Sequence, residues 1–201
     1  MASEKTRPGG RTERTRIAVL QATLDELAER GYAALTVEAV ADRAGIHKTT
    51  LYRRWRNAEG LVAAALLLGT EQEWQAPDTG TLEGDLASLT NELVHWFADP
   101  AVSALPTASV SAAFQSEQAA DALRTFYADR HERCAGIVGR AIARGEAPSG
   151  TDPIEVVRAA CAPIFYRLFI SRELVTTAVA IAAARSTAIA VKAGAYVGTS
   201  R

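Results

Sequence analysis

Arg43, Lys48, Arg53, Arg54 and Arg56 fall in one stretch that contains no acidic residue, with Thr49 and Tyr52 interleaved among them. These groups suit contact with a polyanion. Lysine and arginine pair with phosphates and with guanine edges, and a threonine methyl can meet the thymine methyl. If Lys48 to Trp55 is helical, Leu51 and Trp55, four apart, share the inward face. Lys48, Thr49, Tyr52 and Arg53 then face solvent, and the helix N-terminus adds free amides and the positive end of its dipole. A basic run on a helix is more often a merely solvated face, so the elements around it have to decide.

Those elements read as a helix-turn-helix. Thr36 offers an N-cap, and Val37, Val40, Ala41 and Ala44 repeat at helical spacing until Gly45, where a turn needs a conformation that a Cβ opposes. Ile46 is the apolar residue of the turn, and the basic helix follows. Upstream, Ile17, Leu20, Leu24 and Leu27 mark one face of a longer helix that Gly31 ends. Downstream, Asn57 can cap a fourth helix running through Leu61 to Leu68 towards Trp74. Breaks at Pro77 to Gly80, Asp99 to Pro100, Gly145 to Asp152 and near Glu173 separate five or so further helices. Asp152 before Pro153 is a helix start. The fold class is therefore all-α, divided into a flexible arm at 1–10, a DNA-binding head at 11–56 and a larger helical domain at 57–201.

A chain of 201 residues, 48% hydrophobic and 22% charged, is expected to fold around a full core. The net charge of -1 conceals an asymmetry, because residues 1 to 60 carry 11 Lys and Arg against 8 Asp and Glu, and the remainder 11 against 15. A basic patch on a neutral protein suits docking through one surface. The bases of the N-terminal arm, Lys5, Arg7, Arg11, Arg14 and Arg16, suit a minor-groove arm or simply a soluble tail. Cys134 and Cys161 are in no metal-binding pattern, and His95 and His131 have no partner at ligand spacing, so neither a metal nor another cofactor is expected. A polar start and apolar runs too short to span a bilayer give the expectation of a cytoplasmic protein with no membrane partner. No phosphate loop, nucleophile elbow or metal cluster supports an enzyme. The remaining alternative is a helical protein-interaction module whose helix-turn-helix does not touch DNA.

Gly45, Ile46, Lys48, Thr50, Leu51, Tyr52 and Trp55 together resemble the turn and second helix of the TetR family of bacterial transcriptional regulators, over about the first sixty residues. His47 stands where the family's capping serine is usual, and Asn57-Ala58-Glu59 where it has Ser-Lys-Glu, so the family's lysine contact to phosphate is missing at Ala58. Arg53, Arg54 and Arg56 can restore that charge. The resemblance implies a palindromic double-stranded operator, a homodimer, and a small-molecule effector held in the C-terminal domain, with repression the commoner outcome. The expected DNA-binding set is Thr36, His47, Lys48, Thr49, Thr50, Tyr52, Arg53, Arg54 and Asn57. The expected dimer seam is Pro153 to Ser171 with Thr177 to Lys192, and Pro163 should mark a kink. Among aromatics that could line an effector pocket, Trp96, Phe114, Tyr127 and His131 are favoured because polar side chains lie one turn away, although for each the plain core role is the commoner one.

Overall fold

In the computed structural model, residues 9–71 and 73–198 are described, the side chains of Gly9 and Arg11 excepted. The regular elements among the described residues are helices, and an isolated antiparallel bridge between Thr151 and Val197 is the nearest approach to a sheet among them. Lys5, Arg7 and the side chain of Arg11 lie outside the described residues. The chain packs as two compact units. One takes the residues up to Glu71 together with Pro100–Phe126, the other the segment ending at Asp99 together with Tyr127 onward.

The first unit holds α1 (Gly9–Arg30), α2 (Val37–Ala44), α3 (Lys48–Trp55), α4 (Ala58–Leu68), α6 (Pro100–Ala113) and the start of α7 (Glu117–Ala143). Helix α1 begins at Gly9, inside the segment read as an arm. It buries Val19, Leu20, Ala22, Thr23, Glu26 and Leu27. Ile17 is a correction to the sequence reading, because it is 43% exposed. The spacing of three to Leu20 fits either flank of the stripe, and the core lies on the flank carrying Val19 and Ala22. Thr23 sits in that face because its hydroxyl donates back to the Val19 carbonyl at 2.9 Å. Helix α4, by contrast, is apolar on nearly every side, with Leu61, Val62, Ala63, Ala65 and Leu66 buried. It ends at Leu68 and passes through a 3₁₀ turn, Gly69–Glu71, rather than continuing to Trp74.

The second unit holds α5 (Leu82–Ala98), the rest of α7, α8 (Pro153–Phe165) and α9 (Thr177–Lys192). Its core joins Leu82, Leu86 and Leu89 to Ile137, Val138 and Ala141, and to Val156, Val157 and Ala160. Alanines 180, 184 and 188 let α9 lie close on its neighbours, and the Thr90 hydroxyl donates to the Ala180 carbonyl at 3.1 Å. Asp152 caps α8 as expected, accepting from the amides of Ile154 at 2.9 Å and Glu155 at 3.3 Å, with Pro153 at the first helical position. After Pro163 the helix widens into a π turn, Tyr166–Ser171. Proline removes an N–H from the regular ladder, and a wider turn is one way to continue past it. Among the described residues no helix is long and apolar enough to cross a membrane.

Candidate nucleic-acid interface

Short-range chemistry fixes the helix pair. Thr36 is extended and its Oγ1 accepts from the Ala39 amide at 3.1 Å, which starts α2. Gly45 ends α2 at φ 64, where a side chain would be strained. His47 caps α3, but loosely: its Nδ1 is 3.5 Å from the Thr49 amide and 2.9 Å from the Thr49 hydroxyl. Leu51 is fully buried and Trp55 nearly so, packed with Val37, Val40, Ala41 and Leu61. That seating turns Lys48, Thr49, Tyr52, Arg53 and Arg54 outward and leaves Thr50 half-buried.

The junction from α3 to α4 is tight. Arg56 takes φ 67 and ψ -53 while the Asn57 amide donates back to the Trp55 carbonyl at 2.8 Å, which is the rare γ-turn geometry. Asn57 then caps α4, its Oδ1 accepting from the Gly60 amide at 2.9 Å. Any Cβ on Gly60 would overlap the Trp55 carbonyl oxygen. Thr36, His47 and Asn57 therefore serve first as the N-caps of α2, α3 and α4.

Charge pairing narrows the basic stretch. Arg43 does not face solvent freely: its guanidinium bridges α2 to α1, with Nε 2.7 Å from the buried Glu26 and its other arm on Glu29. This pairing holds the Arg43 pKa above its ordinary value and the Glu29 carboxyl below its own. Arg16 is likewise engaged with Glu13 and Glu71, at 2.7 and 2.9 Å. Arg14 donates to the Gly10 carbonyl of its own helix at 3.1 Å. Lys48, Arg53, Arg54 and Arg56 make no ion pair among the described residues, and Arg54 lies 5.0 Å from the centre of the Trp55 ring. Arg43 is thus a structural strut, which spacing alone could not reveal because its carboxylates come from another helix. Arg43→Met should lower the thermal midpoint more than Arg30→Met, because it removes the 2.7 Å partner of the buried Glu26 carboxylate and leaves it only the exposed Arg30 at 3.4 Å. Equal shifts in a calorimetric comparison would deny Arg43 that role.

The sequence reading also passed over Glu38. It is exposed on α2, and its Oε1 accepts from the Tyr52 hydroxyl at 2.7 Å. That hydrogen bond lowers the Glu38 pKa, with the nearby Lys48 ammonium acting in the same direction, and raises that of Tyr52.

The amino-terminal part of the chain, residues 19–65, matches the family described as bacterial regulatory proteins, tetR family, and residues 76–187 match the tetracyclin repressor-like C-terminal domain. The HTH-type transcriptional regulator YdeS of Bacillus subtilis is 30% identical over 172 residues, 85% of each chain. The chain belongs to the TetR family. It is a helix-turn-helix transcriptional regulator, and α2 and α3 lie within the stretch that matches the family's amino-terminal model. The HTH-type transcriptional regulator AqdR of Rhodococcus erythropolis is 35% identical over 147 residues, 73% of this chain and 70% of its own. The crystal structure of the TetR family transcription regulator SCO0332 superposes with a TM-score of 0.70 at 28% identity, covering 88% of this chain and 98% of that one. A complex of SmeT with triclosan shares the fold at 21% identity and a TM-score of 0.63, covering 92% of this chain and 96% of that one.

The residues favoured for an effector site are only partly brought together. Tyr127 and His131 lie 6.1 Å apart, ring centre to ring centre, and Tyr127 meets Phe165 edge-on at 5.9 Å. Phe97 and Phe169 complete the group, 5.6 Å apart. Trp96 is half-buried and makes none of these ring contacts. Phe114 is 89% exposed and belongs to the first unit, so it is not part of this cluster. It sits at the end of α6, where polar neighbours signal solvent as readily as a pocket. Burial pushes the Tyr127 hydroxyl up to about 12 and lowers the His131 pKa. Both rings are therefore biased to their neutral forms.

Proposed function

We propose that this TetR-family regulator is a homodimeric repressor that reads a palindromic operator through Lys48, Thr49, Tyr52 and Arg53, and releases it when a small molecule occupies the C-terminal helices. The observation that carries the DNA reading is the exposed face of α3, whose Lys48, Arg53 and Arg54 make no ion pair among the described residues, anchored from behind by Leu51 and Trp55. Thr50, Arg54 and Asn57 flank that face, with Thr36 and His47 holding it by their caps. In a dimer, two such helices must sit about 34 to 36 Å apart to enter successive major grooves. An effector that binds better to another spacing shifts the population away from DNA.

Support for the dimer comes from the outer side of α8 and α9. A groove of about 550 Å³ runs between them, lined by small residues including Ala159, Ala178, Ala182 and Ser186. Ile181 and Ile189, also on α9, stay 48% and 59% exposed. An exposed apolar surface of this kind is the ordinary material of a subunit interface. Support for an effector comes from the ring cluster of Phe97, Tyr127, Phe165 and Phe169, whose chemistry suits an apolar or aromatic molecule. SmeT, which shares this fold, forms a complex with the small molecule triclosan.

Single substitutions on the exposed face test the DNA reading. Lys48→Ala is expected to weaken binding across all duplex sequences and reduce the salt slope by about 1, as the loss of one phosphate contact does. Tyr52→Ala should weaken binding to a selected sequence while circular dichroism and the unfolding midpoint stay near wild type. A salt slope unchanged by Lys48→Ala, or unchanged affinity for Tyr52→Ala, would place the DNA on some other surface.

A further inference from the structure

We propose that Glu38 is a specificity-determining residue of the DNA-binding face, one that acts by repulsion: it penalises loose tracking along phosphates and positions Tyr52 for the seated complex. This rests on the reading that α3 meets DNA. Glu38 lies on the first turn of α2, and its carboxylate reaches across to α3 to accept a hydrogen bond from the Tyr52 hydroxyl at 2.7 Å. Lys48, which makes no ion pair among the described residues, stands near enough for its charge to act on Glu38, and Arg53 is exposed on the same helix. A fixed negative charge amid such groups opposes any approach that presses this face on the phosphate backbone. Discrimination between partners is a difference of affinities and is commonly built from such repulsive elements.

The two ways of meeting DNA treat this carboxylate differently. In a mis-seated, phosphate-tracking encounter nothing compensates it, and the cost is Coulombic. When the helix is seated in the groove, the carboxylate still holds the Tyr52 hydroxyl and faces a groove that carries amino donors on cytosine and adenine. Its penalty is therefore larger for the wrong complex than for the right one. The hydrogen bond has a separate effect, because it fixes the Tyr52 side chain that would otherwise lose rotamer freedom on binding.

Two variants separate these effects in the full-length protein. Glu38→Gln keeps an acceptor for Tyr52 and removes the charge, and Tyr52→Phe keeps the ring and removes the donor. Both are measured on a random-sequence duplex and on a duplex selected by the wild-type protein, across a salt series. Glu38→Gln is expected to tighten random-duplex binding about threefold or more, the size of one charge in the salt-dependent part of binding. The selected duplex should gain less, so the specificity ratio falls. Tyr52→Phe is expected to weaken the selected duplex and leave the random one unchanged. Equal tightening on both duplexes by Glu38→Gln, or no change on either, would overturn the proposal while leaving DNA binding by α3 intact. A wild-type protein with no salt-dependent affinity for any duplex would instead overturn the reading on which it rests.

Discussion

Gly60→Ala is expected to destabilise the N-terminal unit by about 3 kcal/mol, at the upper end of what overpacking costs. The cause is specific. The added Cβ would overlap the Trp55 carbonyl oxygen, which is backbone and already bonded to the Asn57 amide, so no flexible side chain can move aside. Relief requires α4 to shift away from the end of α3, which would also break the Asn57 cap on the Gly60 amide. Chemical denaturation should show a lower midpoint together with weakened DNA binding. A variant as stable as wild type would mean that the junction is looser than these contacts imply.

Trp55→Ala is the second large effect, about 3 to 5 kcal/mol for a buried aromatic cut to a methyl. Trp55 is 5% exposed and packs where α2, α3 and α4 meet, so its removal leaves a cavity behind the exposed face of α3. It also removes the ring beside which Arg54 rests. Tyr52→Ala, three residues earlier on the same helix, changes an exposed side chain and should leave stability nearly intact. Comparing unfolding curves of the two variants checks the orientation of α3 directly. Equal stability losses would mean that the buried and exposed faces of that helix are assigned wrongly.

Much of the architecture was legible because local chemistry dictates it. The caps at Thr36, Asn57 and Asp152, the turn at Gly45 and the inward pair Leu51 and Trp55 each follow from residue type and spacing within one element. Features that depend on two elements were not legible. Nothing near Arg43 in sequence reveals that Glu26 and Glu29 of α1 take up its charge, and Ile17 satisfied the helical period while lying off the core stripe. Glu38 was missed for the same reason, since its partner is fourteen residues away on another helix. Phe114 looked like a pocket residue because its neighbours are polar, whereas the rings that cluster with Tyr127 come from α5, from the end of α8 and from the π turn after it. The strained turn at Arg56 is invisible in sequence, because an arginine gives no hint of a positive φ.

The most direct test of the central claim is selection of bound sequences from a random duplex pool, followed by the affinity of the selected duplex across a salt series. A regulator that reads an operator as a dimer through α3 should enrich a palindromic site and lose affinity steeply as salt rises. Failure to enrich any sequence, or an affinity indifferent to salt, would contradict the account.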